Sequence, residues 1–213
     1  MTFRDRVAAG RLLGERLRGE QLGDAVILGL PRGGVIVAAE VATALDAPLD
    51  IVVARKLGVP WQPELAFGAV APGVVVLQRD VIDGAGLRPV DVETAVARET
   101  ALLEPLAARY RAGRAATPLR DRTAVIVDDG LATGATATAA VRSVRQLGAR
   151  RVVVAVPVGA SQTVTALGTE ADQVICLEGR RDFRAVGMYY EDFAATADEE
   201  VIERLAARRP GPA

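Results

Sequence analysis

The sequence predicts an α/β protein built on a doubly wound parallel sheet, and three observations predict it. Short runs of apolar, largely β-branched residues recur at 25–30, 49–54, 123–127 and 152–156; strands buried on both faces read this way. Segments of helical character lie between them, and strands alternating with helices imply parallel pairing. Half of the 213 residues are hydrophobic, mostly Ala, Val and Leu, which is enough for a large aliphatic core.

The elements follow in order. Phe3 to Arg18 has the spacing of an amphipathic helix, with Val7, Leu12, Leu13 and Leu17 near one face. Ala25 to Leu30 is a strand, Pro31-Arg-Gly-Gly34 a turn, and Val35 to about Leu45 a helix. Leu49 to Ala54 is the second strand. Residues 55–73 mix glycines and prolines with Trp61 and Phe67, and read as a long loop. Val74 to Leu77 is a third strand. Val90 to Ala112 is a helical insertion with Val92, Val96, Leu103, Leu106 and Tyr110 near helical spacing, and Pro105 predicts a kink. Thr123 to Val127, a helix over 137–147, Val152 to Val156 and Val174 to Leu177 continue the alternation. Asp198 is expected to cap a last helix ending near Arg208, with 209–213 a frayed tail. There is no internal repeat. One domain over 1–213 is expected: a core over about 22–178, the insertion over about 88–114 and a variable C-terminal region over about 179–209.

Composition narrows the chemistry. The net charge of −1 argues against general binding to nucleic acid or a membrane surface. No apolar run has the length of a membrane span, and the first residues lack the apolar core of a signal peptide. Cys176 is the only cysteine, so no internal disulfide forms. A cytoplasmic protein is the expectation. With no histidine, Ser-His-Asp and Cys-His catalysis and His-ligated metals are excluded. Lys56 is the only lysine among 26 basic residues. Neither Gly-x-Gly-x-x-Gly nor a Gly-Lys-Ser/Thr P-loop is present.

The most informative segment is Thr123-Ala-Val-Ile-Val-Asp-Asp-Gly-Leu-Ala-Thr-Gly-Ala-Thr136. A buried strand ends in two carboxylates. Asp128 and Asp129 can accept hydrogen bonds from neighbouring hydroxyls such as a ribose diol. Ala132, Gly134 and Ala135 lack bulk, so backbone N–H groups can close around a phosphate. Thr133 and Thr136 add hydroxyls, and the following helix adds positive potential at its N-terminus. A diol site beside a phosphate site describes a ribose 5-phosphate. An ordinary strand-turn-helix would gain nothing from two adjacent carboxylates at a buried strand end, which cost energy without a ligand or cation.

This segment resembles the PRPP-binding signature of the type I phosphoribosyltransferases, whose fold is Rossmann-like. The resemblance extends over the core. Pro31-Arg-Gly-Gly34 is similar to the family's pyrophosphate loop, in which a cis peptide is common. There Gly33 and Gly34 let N–H groups face an anion and Arg32 adds charge. Arg55-Lys56 resembles the Arg-Lys pair that opens a mobile loop in the orotate and adenine members. The resemblance implies that Arg32 and Lys56 serve catalysis, with Lys56 neutralising charge as pyrophosphate departs. It further implies Asp128 and Asp129 on the ribose and Ala132, Thr133, Gly134, Ala135 and Thr136 on the 5-phosphate. Arg32, Gly33, Gly34, Arg55 and Lys56 would hold pyrophosphate. Mg²⁺ would be held by PRPP and water near Asp128 and Asp129, with no direct protein ligand. The implied partners are PRPP and a small nitrogen acceptor, with a homodimer allowed. The implied reaction is phosphoribosyl transfer in nucleotide metabolism; the alternative is a PRPP-sensing regulator without catalysis, against which the lack of a DNA-binding segment weighs. Trp61, Glu64 and Phe67 on the loop, and Phe183, Tyr189, Tyr190 and Phe193 in the hood, are candidates to meet the acceptor or to pack. Relatives using hypoxanthine or guanine carry an acidic residue where this chain has Ala132.

Overall fold

The computed structural model describes residues 2–208; the tail predicted over 209–213 lies outside them. Five parallel strands form the main sheet: β1 (Ala25–Gly29), β2 (Leu49–Ile51), β6 (Thr123–Val127), β7 (Arg151–Ala160) and β8 (Gln173–Arg180), in the order β2-β1-β6-β7-β8. The remaining strands, β3 (Arg55–Val59), β4 (Gln62–Ala71) and β5 (Val74–Leu77), form a small antiparallel sheet. The helices are α1 (Arg6–Leu17), α2 (Gly33–Leu45), α3 (Arg79–Gly84), α4 (Pro89–Ala101), α5 (Leu103–Arg111), α6 (Ala135–Gln146), α7 (Ser161–Leu167) and α8 (Asp198–Ala207).

Alternation along the strands explains the layering. Val125, Val127, Val153 and Ala155 join one core with Leu13, Leu17, Val37 and Val41 of α1 and α2. Ala124, Ile126, Val152 and Val154 join a second core with Ala140, Val141 and Val144 of α6. Successive strand residues point to opposite faces, so a strand covered on both sides must be apolar throughout. Gly10 and Gly14 let α1 lie against α2. A Cβ on Gly10 would sit 2.8 Å from the Val37 carbonyl oxygen, and one on Gly14 would sit 2.6 Å from the Ala44 Cβ.

Several expectations are corrected. Residues 55–73 are not a loop but the β3–β4 hairpin, with Arg55 opposite Val70 and Lys56 opposite Ala69. β5 pairs antiparallel with β4 and is no part of the parallel sheet. The insertion is two helices broken at Leu102. Pro105 sits in the first turn of α5, where its missing N–H is tolerated, so it permits a new start rather than a mid-helix kink. On α1 the buried face is Ala9, Gly10, Leu13, Gly14 and Leu17, while Leu12 is exposed; Asp5 caps the helix by accepting from the Ala8 N–H at 2.7 Å. Asp198 is the first residue of α8, not its cap. The short α3 and α7 carry no clear mark in the sequence.

The insertion is anchored through the buried Asp50 on β2, which meets Arg111 of α5 at 2.9 Å and accepts the Thr117 N–H at 2.7 Å. The same end of α5 also meets α8, where the Tyr110 hydroxyl donates to Asp198 at 2.8 Å and Arg109 pairs with Asp198 at 2.7 Å.

Candidate active site

β1 leads through α2 to β2 on one side, while β6 and β7, also parallel to it, lie in succession on its other side. The strand order therefore reverses between β1 and β6, and ligands of open α/β sheets bind outside the carboxyl ends at such a switch point. Pro31 to Gly34 follow β1, and Asp128 and Asp129 follow β6. The Leu30 N–H donates to the Val127 carbonyl at 2.9 Å, which draws the two segments together. The Pro31–Arg32 peptide bond is cis.

The glycines of the first loop sit against the carboxylates of the second. A Cβ on Gly33 would collide with Asp129 Oδ2 and lie 2.6 Å from Arg6 Nε. One on Gly34 would lie 2.8 Å from both Asp128 Oδ1 and the Val127 carbonyl oxygen. Only glycine permits this approach. Asp128 Oδ1 accepts the Asp129 N–H at 2.8 Å, and Asp129 Oδ2 accepts from Arg6 Nε at 2.8 Å. The other oxygen of each carboxylate bonds to no other described residue, and neither is a buried orphan. Burial pushes both acids above the usual carboxylate range. For Asp128 the shift is large, with the neighbouring Asp129 charge adding to it; for Asp129 the Arg6 guanidinium opposes it.

Beyond the acid pair the chain is stapled to β7. The Leu131 N–H donates to the Val158 carbonyl, and the Ala160 N–H to the Leu131 carbonyl, both at 2.9 Å. Ala132 and Thr133 are exposed, and Gly134 takes φ +77° directly before α6. The Thr163 hydroxyl of α7 donates to the Ala132 carbonyl at 2.7 Å, and its methyl leaves no room for a Cβ on Gly134. The turn is thus held open by its own small residues and braced from one side.

The expected cations are placed differently. Arg32 and Arg55 line one cavity of about 490 Å³ with Pro31, Leu106, Tyr110 and Asp198. Arg55 Nε meets the buried Glu99 of α4 at 2.5 Å, and Arg32 lies 3.7 Å from Asp198. Lys56 does not line this cavity; its Nζ lies 3.7 Å from Glu64 across the hairpin. Phe67 is fully buried and packs in the core, whereas Trp61 is exposed at the hairpin turn. Phe183 and Tyr189 stack at 5.4 Å, while Tyr190 packs between Phe3 and Phe193. Val186 covers Gly130, where a Cβ would lie 2.5 Å from its methyl carbon.

Sequence reasoning missed Arg6, Glu99, Thr163 and the Tyr190 hydroxyl, which donates to the Asp129 carbonyl at 2.6 Å. Nothing in the linear pattern sets these apart, because each acts across a long sequence separation.

Among the described residues no group of three or more Asp, Glu, His or Cys converges as a metal cage. Two open carboxylate oxygens are too few to cage a metal, and they fit a Mg²⁺ only as acceptors for its bound water, its ligands coming from substrate phosphate and water.

A nucleotide-type fold whose switch point joins an acid pair to an open small-residue turn defines a class, and the comparisons agree with it. The phosphoribosyl transferase domain model matches residues 6–192, and the chain belongs to that family. It is 50% identical over 204 residues to the Mycobacterium tuberculosis H37Rv protein named "Putative phosphoribosyl transferase Rv0571c", covering 95% of this chain and 46% of that one. The same figures hold for the counterpart from strain CDC 1551. The chain spans about half the length of the curated relatives it matches. The crystal structure of TT1426 from Thermus thermophilus superposes with a TM-score of 0.81 at 45% identity, covering 98% of this chain and 99% of that one. No helix among the described residues is long and apolar enough to cross a membrane.

Proposed function

We propose that this protein transfers the 5-phosphoribosyl group of PRPP to a nitrogen of a small acceptor and releases pyrophosphate. The observation that supports this best is the packing of Gly33 and Gly34 onto Asp129 and Asp128, which leaves one carboxylate oxygen of each free at the switch point. Two free acceptors on adjacent residues suit two vicinal hydroxyls.

In this reading Asp128 and Asp129 hold the ribose hydroxyls. Ala132 to Thr136 receive the 5-phosphate on backbone N–H groups and hydroxyls at the start of α6. Arg32, Gly33, Gly34 and Arg55 hold pyrophosphate, and Lys56 reaches it once released from Glu64 by hairpin movement. The C1′–oxygen bond to pyrophosphate breaks, the C1′–nitrogen bond forms, and the nitrogen's proton leaves to solvent or the departing phosphate. Mg²⁺ bound with PRPP, near Asp128 and Asp129, would neutralise phosphate charge. The protein supplies position and charge stabilisation, so the absence of histidine is no obstacle.

The acceptor is not a 6-oxopurine in this reading, because Ala132 can neither accept nor stabilise a proton. The test is pyrophosphate release from PRPP and Mg²⁺ with hypoxanthine, guanine, xanthine, adenine, uracil and simple amines offered separately. Turnover of adenine, uracil or an amine supports both statements, and efficient use of hypoxanthine, guanine or xanthine, all of them 6-oxopurines, overturns the second. Tight PRPP binding with no turnover on any acceptor identifies a sensor instead.

A further inference from the structure

Arg6 lies outside the three short segments that carry the family resemblance, at 31–34, 55–56 and 123–136, yet its side chain reaches the acid pair. It is mostly buried, as is Asp129. Three contacts fix its guanidinium. Nε donates to Asp129 Oδ2 at 2.8 Å, Nη1 donates to the Ala194 carbonyl at 2.8 Å, and the plane lies 3.8 Å from the centre of the Phe193 ring. The backbone that carries it is equally constrained. The Phe3 N–H donates to the Tyr189 carbonyl at 2.8 Å, and the Glu191 and Asp192 N–H groups donate to the Phe3 and Arg4 carbonyls at 2.9 Å. Residues 3–6 and 189–194 are thus zipped together, and Tyr190 closes the arrangement by donating to the Asp129 backbone.

We propose that Arg6 is a positioning residue that selects which oxygen of Asp129 meets the sugar. By holding Oδ2 against Gly33, it turns Oδ1 outward as a fixed acceptor and keeps the carboxylate from swinging. The inference rests on the reading of Asp128 and Asp129 as the ribose site, and it adds a residue from the N-terminal helix to that site. An arginine suits the task where a lysine does not. A planar fork can lie on Phe193, donate to Ala194 and donate to Asp129 together, whereas an ammonium is a single point of charge. Asp128 needs no such partner, because the Asp129 N–H already holds its Oδ1.

The asymmetry gives a test that a purely structural role would not pass. Calorimetry measures the affinity of the full chain for ribose 5-phosphate and for its 2-deoxy and 3-deoxy analogues. Wild type should discriminate against both deoxy sugars. Arg6→Met should bind ribose 5-phosphate at least about tenfold more weakly, the value of one charge-assisted hydrogen bond. It should lose discrimination against one deoxy sugar, the one lacking the hydroxyl at Asp129, and keep discrimination against the other. Arg6→Lys should show the same pattern, less pronounced. Should Arg6→Met fail to fold, Phe193→Leu, which keeps the charge and removes the ring beneath it, is read in the same way. Equal loss of both discriminations, or none in a folded variant, overturns the inference. Wild type that does not bind ribose 5-phosphate overturns the ribose-site reading and this inference with it.

Discussion

Gly33→Ala and Gly34→Ala are chemically identical changes at adjacent positions in the first turn of α2, and the structure predicts different consequences for stability. Helix propensity alone predicts that both stabilise, by up to about 1 kcal/mol. At Gly33 the new Cβ would meet side-chain atoms, Asp129 Oδ2 and, at 2.6 Å, Arg6 Nε. These can move apart. The ion pair is displaced but neither charge is removed, so the side chains can re-pair after a small shift and the cost stays well below the several kcal/mol of deleting one partner of a buried pair, comparable to the propensity gain. The melting temperature should stay within about 3 °C of wild type. Binding should not survive as well, because the displaced carboxylate is the proposed ribose ligand; PRPP affinity should fall at least about tenfold. At Gly34 the new Cβ meets the Val127 carbonyl oxygen at 2.8 Å and the Asp128 Cα at 2.9 Å. These belong to the end of a central strand and cannot yield cheaply. Overpacking of this kind costs about 1–3 kcal/mol, so the melting temperature should drop by about 3–8 °C. Thermal unfolding followed by circular dichroism, with PRPP calorimetry on the same samples, separates the cases. Wild-type PRPP affinity in Gly33→Ala, or a raised melting temperature in Gly34→Ala, would refute the reasoning.

Asp128→Asn should stabilise the ligand-free protein near neutral pH, and the gain should shrink as pH falls toward the ordinary aspartate value of 3.8. The sign follows from linkage. A carboxyl whose folded pKa is raised holds its proton more tightly when folded, so its ionisation opposes folding above the unfolded pKa and has no effect below it. Melting curves of both proteins from about pH 4 to about pH 7, the span above the ordinary carboxyl value, check this, and a gain that grows on acidification would contradict it. Lys56→Ala should leave the melting temperature unchanged, because its contacts with Glu64 are exposed. Turnover should fall at least about tenfold while PRPP affinity changes little; a change confined to KM would make Lys56 a uniform binding group.

What can be read from the sequence divides along the range of the interactions involved. The parallel strands are legible because burial on both faces leaves a local mark. Thr123 to Val127 reads as a strand whichever core each residue joins. The turn after β6 is legible for the same reason, since acid pair, small residues and helix start follow one another. Val74 to Leu77 is also legible as a strand, but a run of valines does not name its partner, and the structure pairs it antiparallel with β4. Residues 55–73 read as a loop because Gly58, Pro60 and Pro63 interrupt the run and because 62–65 are exposed on the hairpin. On α1, Leu12 falls on the buried face when hydrophobicity is counted without the close approach that Gly10 and Gly14 permit.

The same division runs through the site. Asp128 and Asp129 are announced by their neighbours in the chain, but the group that holds Asp129 in place stands 123 positions away. Arg6 follows an N-cap in an ordinary surface helix, and its role depends on the meeting of residues 3–6 with 189–194. Glu99 reaches Arg55 from the insertion in the same way. The atoms proposed to touch the substrate are thus encoded in short contiguous segments, whereas the groups that hold them in place come from elements far away in the chain. Residues 3–6 and 189–194 are joined by paired backbone hydrogen bonds, so neither segment can change its path without the other. Exchanging the 3–6 and 189–194 segments together, rather than either alone, is the alteration this architecture should tolerate.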